Sequence, residues 1–223
     1  MIIMTENQVL FDNKFPNLGS LFSYTRFAKT LKPYALDNYR YTCATKNINW
    51  DKNLFIKHLD RAYNHGKNSN NFPRWVVCPD IPFNAEATTK EWREWYSVIR
   101  AYGFKVAFAA QNGHQPKDIP SNADVIFVGG DTHWKRANIK TFCDAFPRVH
   151  VARINTVRWL WVCYHAGVES IDETGWIWKN KMEQQQLREF CEIINGKRVC
   201  ENGALFPLGN FTNYNGIRGC ETF

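Results

Sequence analysis

Residues 105–131 read KVAFAAQNGHQPKDIPSNADVIFVGGD. Two apolar runs stand in this stretch, Lys105 to Ala110 and Asp124 to Val128. Both are too short for a helix, and neither alternates with polar residues. Such runs suit strands buried on both faces, as in a parallel sheet. Each stops abruptly at small or polar residues, Gln111-Asn112-Gly113 and Gly129-Gly130-Asp131. The same sign recurs outward along the chain. Tyr34-Ala35-Leu36 ends in Asp37-Asn38, and Arg74 to Cys78 ends at Pro79-Asp80. Downstream, Val149 to Ile154 runs toward Asn155, and Val168 to Ile171 runs into Asp172.

Helical patterns fill the intervals. Asn49 or Asp51 caps a stretch that places Leu54, Phe55, His58, Leu59 and Ala62 on one face. Thr88-Thr89 caps a helix over Glu91 to Ala101, with Trp92, Trp95, Tyr96 and Ile99 at helical spacing and Gly103 as its stop. Two more helices are expected, from about Thr156 to Ala166 and from about Met182 to Ile194. Strand and helix in alternation mean parallel pairing. With a weaker strand near Val9-Leu10-Phe11 and another near Leu205, the count fits a (β/α)8 TIM-type barrel, one domain over residues 1–223. An open doubly wound sheet is the competing α/β architecture, and the strand count favours the barrel.

The composition bounds the function. The net charge is +7 and aromatic residues make up 15%, with nine Trp. A basic surface suits a polyanion, nucleic acid first, and rings can stack on bases. No Lys/Arg tail is present, so such contacts must come from the folded surface. The seven Cys are irregularly spaced with no CxxC, which reads as a reduced, cytoplasmic protein. The opening residues soon meet Glu6 and Asp12, unlike a signal peptide, and no apolar run reaches the length of a membrane span. The sequence says nothing of oligomeric state.

Working residues in either fold sit at the carboxyl ends of strands. Here those ends carry Asp37-Asn38, Asp80, Gln111, Gly129-Gly130-Asp131, Arg153 and Asp172. Any one Asp could merely cap a helix or turn the chain. Several of them, beside Gln111 and a Gly pair, point to a polar site. The Gly pair belongs to no phosphate-binding fingerprint; it either turns the chain tightly or lets the backbone approach a flat ligand. His114, His133, His150 and His165 show no metal-binding spacing, and Cys191, Cys200 and Cys220 match no strong zinc pattern. Cys78 beside Asp80 is either a nucleophile or a core residue.

The order of these strand ends resembles the queuine/tRNA-guanine transglycosylase superfamily, above all its short phage and bacterial 7-deazaguanine DNA transglycosylases. The matching stretch runs from about Tyr34 to Trp178. The resemblance implies Asp37, in YALDN, as general acid/base, with Asn38 beside it at the substrate. It implies Asp80, in VVCPD, as reader of the Watson–Crick edge of a guanine-type base. Gln111 would help to hold the base, and Gly129-Gly130 would present a backbone N–H to the base carbonyl. GVESID would end in the nucleophile, Asp172. Four features depart from the family. Asn38-Tyr39-Arg40 stands in place of Ser-Gly-Gly, and Glu173-Thr174-Gly175-Trp176 in place of Pro-Thr-Arg. The zinc pattern CxCxxC is absent, as is the long tRNA-docking part. The expected partners are therefore DNA and a 7-deazaguanine base of the preQ0 type, with no metal or other cofactor.

The chemistry is coherent on its own terms. Base exchange breaks a C1′–N bond, and a carboxylate can trap the sugar as a covalent ester. A second group must protonate the leaving base. A carboxylate facing N1–H and the 2-amino group selects guanine-type bases. The target nucleotide must leave the stack first, and Trp134 and Trp176 serve either to stack on it or to fill the core. Lys135, Arg136, Arg153 and Arg158 are the candidate phosphate contacts. Glu169, in the same segment as Asp172 and expected on the same side, is the rival nucleophile. Two other readings share these residues: a barrel glycosidase or lyase acting on a small molecule, and a non-catalytic nucleic-acid-binding module.

Overall fold

The computed structural model describes residues 1–5, 17–172 and 181–196. The chain divides into two compact units, Met1–Lys179 and Asn180–Phe223. In the second, an amphipathic helix spans Lys181–Ile194, close to the range expected from its pattern.

The first unit is a closed barrel of eight parallel strands in sequence order. They are β1 (Ile2–Met4), β2 (Leu18–Phe22), β3 (Tyr34–Leu36), β4 (Val76–Val77), β5 (Val106–Ala110), β6 (Val125–Val128), β7 (Val149–Val151) and β8 (Ser170–Asp172). Closure comes from β8 pairing with β1, Ile171 opposite Ile3. The (β/α)8 barrel is the expected architecture, but its first two strands are not where the pattern put one. Ile2–Met4 and Leu18–Phe22 supply them, while the stretches near Val9 and Leu205 lie outside the described residues. A three-residue strand leaves little periodicity to read.

Side chains alternate across each strand, and one set forms a continuous core inside the barrel. Met4, Leu21, Ala35, Trp75, Val77, Ala107, Ala109, Val125, Phe127 and Ala152 make up this cluster. Large Trp75 and Phe127 rings sit 6.0 Å apart, and four alanines leave room for them. Burying one large apolar side chain contributes about 1.5–3 kcal/mol, so this filling is a major source of stability. The opposite set, including Val76, Val106, Phe108, Ile126 and Val128, is also buried, which accounts for strands without polar alternation.

Five helices of this unit are α1 (Arg40–Lys46), α2 (Lys52–Ser69), α3 (Ala85–Ala101), α4 (Thr132–Ala145) and α5 (Val157–His165). Asp51 caps α2 through the amides of Asn53 and Leu54. The cap of α3 is Asn84, accepting from Ala87 N, and not Thr88-Thr89. Thr88 lies within the first turns, where its hydroxyl exchanges hydrogen bonds with the Ile81 backbone. Asp131 and Thr156 cap α4 and α5. Helices α1 and α4 have no counterpart in the sequence reading; α1 starts after Tyr39 at φ 67° and stops at Asn47 at φ 52°.

Candidate active site

The inward alternation continues past the strand ends. Two residues beyond Ala35, Ala109, Phe127 and Ser170 stand Asp37, Gln111, Gly129 and Asp172. All four line one cavity of about 370 Å³ together with Asn38, Asp80, Gly130 and Arg153. That volume lies in the range of small-molecule sites, roughly 300–1,000 Å³. The residues expected from the strand ends therefore converge on one mouth of the barrel.

Asp80 is the most buried carboxylate of the group, 6% exposed. Asn38 Nδ2 donates to its Oδ1 at 2.7 Å, and Gln111 Nε2 donates to its Oδ2 at 2.6 Å. Burial pushes its pKa up to about 6, with the Asn38 hydrogen bond, the Arg40 charge and the Gln111 hydrogen bond opposing that rise and the Glu91 charge adding to it. Asn38 is itself held from three sides. Its amide donates to Cys78 O at 2.8 Å, its Oδ1 accepts from Arg40 N at 2.8 Å, and its backbone carbonyl accepts from Trp50 Nε1 at 2.7 Å. Arg40 lies 4.0 Å over the Trp50 ring and pairs with Glu91 at 2.7 Å. Polar groups this deep need such partners.

Gln111 links this network to the glycine pair. Its Oε1 accepts from Gly130 N at 2.8 Å and from Phe83 N at 2.9 Å. Gly129 N donates to Ala110 O at 2.9 Å. Both glycine N–H groups thus already have acceptors, contrary to the expectation that one faces a base carbonyl. The glycines serve close approach instead. A Cβ at Gly129 would come within 2.5 Å of Gln111 Nε2, and one at Gly130, at φ +66°, would strike the Trp134 ring. Asp131 follows as the α4 cap, accepting from Trp134 N at 2.9 Å, so at this strand end the capping alternative holds.

Across the cavity, Asp172 Oδ1 accepts from Arg153 N at 3.2 Å and sits 3.0 Å from His150 Nε2. The other ring nitrogen, Nδ1, lies 2.8 Å from Ser170 Oγ. His150 is wholly buried, stacked on Phe127 at 4.9 Å and edge-on to Trp75 at 4.8 Å. Sequence reasoning considered this histidine only as a metal ligand. A lone polar residue inside a three-residue strand gave no other sign.

Several expectations need correction. Lys135 is 2% exposed and donates its ammonium to Ala152 O, so it is no surface contact for phosphate; burial lowers its pKa to about 8. Arg153 lines the cavity, at φ +54°, with its guanidinium 3.8 Å over the Tyr41 ring and donating to Gly130 O. Arg136 lies 4.4 Å over the Trp159 ring, and Arg158 is half-buried. Glu169 is not beside Asp172. Three positions earlier, it precedes β8 and is clamped at the barrel's other end by Arg148 at 2.8 and 2.9 Å and Arg74 at 2.8 Å. Cys78 is buried and its thiol pKa is raised well above the usual range, mainly by burial, as befits a core residue. Trp176 and the 173–176 stretch lie outside the described residues. Among the described residues no three His, Cys, Asp or Glu side chains are grouped to hold a metal, and no helix is long and apolar enough to cross a membrane.

Compared with models of known protein families and with curated proteins, the chain matches none.

Proposed function

We propose that the protein exchanges a guanine-type base in DNA for a 7-deazaguanine through a covalent sugar ester on Asp172. The observation that carries this reading is the division of labour between two carboxylates of one cavity. Asp80 is buried and braced by two neutral amides. An ionised carboxylate offers about four acceptor positions, so roughly two remain for N1–H and the 2-amino group of a guanine-type base. Gln111 uses one of its two amide hydrogens on Asp80, and the second is the donor available to a base carbonyl. Asp172 stands on the same cavity with Oδ1 engaged by donors, in keeping with a nucleophile oriented toward C1′. Asp37, on the same cavity, is the acid that protonates the departing base and the base that receives the proton of the incoming one.

Tyr41, Phe83 and Phe127 also line the cavity and supply ring faces for a flat ligand. Arg136 and Arg158 are the cations of the expected set that remain as phosphate contacts.

A second reading is favoured by the fate of the other two cations. With Lys135 buried and Arg153 drawn into the cavity, half of the expected phosphate contacts leave the surface. That suits a small-molecule glycosidase or lyase built on the same carboxylates. Incubation with duplex DNA and a labelled 7-deazaguanine, followed by nucleoside analysis, separates the two. Label in the DNA supports base exchange. Unlabelled DNA, with turnover of a free nucleoside or glycoside, supports the second reading.

A further inference from the structure

His150 is buried, bonded at both ring nitrogens, and aimed at the side chain expected to carry the covalent step. The register β7 to β8 sets His150 opposite Ser170, and Asp172 follows on the same face two residues later. The ring is fixed by stacking on Phe127, 15° from coplanar, and by the edge contact with Trp75. Its rotation is blocked, so its two nitrogens keep their partners, Ser170 Oγ at 2.8 Å and Asp172 Oδ1 at 3.0 Å. A carboxylate only accepts. Nε2 must therefore carry the hydrogen toward Asp172, and in the neutral ring Nδ1 accepts from the Ser170 hydroxyl.

We propose that His150 is a positioning residue that holds Asp172 through Oδ1 and, together with the Arg153 amide, makes Asp172 a good leaving group in the second half of the exchange. The inference rests on the base-exchange reading. In the first half, Asp172 Oδ2 bonds to C1′ as the C1′–N bond breaks; the electron pair leaves with the base, which takes a proton from Asp37. In the second half, the incoming base nitrogen bonds to C1′ and its proton goes to Asp37. The C1′–Oδ2 bond breaks and its pair returns to Asp172. In the ester, Oδ1 is the carbonyl oxygen. Hydrogen bonds strengthen when their acceptor becomes charged. The two donors on Oδ1 therefore favour release of the carboxylate over persistence of the ester.

This has an unusual consequence. Removing the donor should make the covalent adduct accumulate, whereas damage to the site would diminish it. In His150→Phe, which keeps a ring between Phe127 and Trp75, breakdown of the sugar ester on addition of 7-deazaguanine should slow about tenfold or more, the loss of one hydrogen bond to a charged group. His150→Gln, whose amide reaches as far as Nε2, should restore breakdown; His150→Asn, which reaches only toward Ser170, should not. The adduct is followed by denaturing gel and mass spectrometry, with affinity for free guanine as the check that the Asp80 side of the cavity is intact. Should the Phe variant fail to fold, the Gln and Asn pair decides. Wild-type breakdown rates in a folded Phe variant, or equal rates for Gln and Asn, would overturn the inference. A second measurement does not depend on the reaction: the ring ¹⁵N spectrum of His150 in the free protein should report hydrogen on Nε2. Hydrogen on Nδ1 alone overturns the inference. If wild-type protein forms no adduct at all, the exchange reaction itself is refuted, and the ring tautomer still decides how Asp172 is held.

Discussion

Replacing Asp80 by Asn separates two effects that the structure sets against each other. At neutral pH the wild-type carboxylate is charged in a site that disfavours charge. Its pKa rises from an ordinary 3.8 to about 6, mainly through burial. At about 1.4 kcal/mol for each pKa step, that is ~3 kcal/mol, as an order of magnitude. The sign follows from proton binding. Between pH 4 and 6 the folded protein holds a proton that the unfolded chain has lost, so this contribution to stability is present below about pH 4 and is lost as pH rises through 6. Asn does not titrate, so the variant lacks this slope. It also puts a donor where Asn38 or Gln111 already donates, leaving one buried donor unsatisfied at a cost of about 1–3 kcal/mol. At pH 7 the two nearly cancel, and the variant should fold about as stably as wild type. At pH 4, where Asp80 is protonated, the variant should be less stable by the unsatisfied-donor cost of about 1–3 kcal/mol. Guanine binding at pH 7 should nonetheless weaken by roughly 1–3 kcal/mol, because an acceptor facing N–H groups has become a donor. Urea melts at pH 4, 5, 6 and 7 give the first quantity, and calorimetric titration with guanine the second. A stability difference that is constant across these pH values refutes the buried-carboxylate argument. Undiminished guanine binding refutes the assignment of Asp80.

Other outcomes follow from the same geometry. Asp172→Asn should abolish adduct and exchange while leaving DNA retention on a gel unchanged; full exchange in that variant, or an adduct mapped to Asp37, would show the roles wrongly assigned. Gly129→Ala should weaken guanine binding at least tenfold without unfolding the barrel, because its Cβ displaces Gln111 from Asp80; calorimetry at matched stability checks it. Guanine affinity of the wild type should fall as pH drops below about 6, where Asp80 takes up its proton, and a flat profile from pH 5 to 8 contradicts this. DNA affinity should fall steeply with salt, and salt-independent binding or none favours the small-molecule reading.

Much of this cavity was legible because its residues continue the inward alternation of strands that already read as buried. Asp37, Gln111, Gly129 and Asp172 each lie two residues past an inward side chain, and the apolar runs before them mark where the strands stop. Three kinds of feature were not legible. Strands β1 and β2 hold three and five residues, which leaves little period to read, and β2 carries Gly19 and Ser20 among its apolar residues. His150 looks in sequence like any histidine between two valines; only the pairing of β7 with β8 reveals that it touches Ser170 and Asp172. Lys135 looked like a surface cation because charge says nothing of direction, and the helical turn of α4 aims it at the Ala152 carbonyl. Tyr41 likewise gained its place at the cavity from helix α1, which no hydrophobic period announced.

The barrel contains carboxylates in two contrasting states, and the contrast bears on which of them can react. Glu169 is bonded by two guanidiniums, and their hydrogen bonds and charges hold its carboxyl below the usual range against the opposing effect of burial. A carboxylate so neutralised is a poor nucleophile and a poor reader of neutral N–H groups, because its lone pairs face full positive charges. It ties the segment before β8 to those before β4 and β7, closing the amino-terminal end of the barrel. At the carboxyl-terminal mouth, the hydrogen bonds to Asp80 come from side-chain amides, and those to Asp172 from an imidazole and a backbone N–H. Such donors orient an anion without cancelling its charge. The same residue type is thus a structural clamp between guanidiniums at one end and, at the other, a cavity-lining group held by amide, imidazole and backbone donors. Under the proposed base exchange the candidate carboxylates are therefore those at the mouth with Gln111 and the glycine pair, and the doubly arginine-bound Glu169 is a poor rival to Asp172.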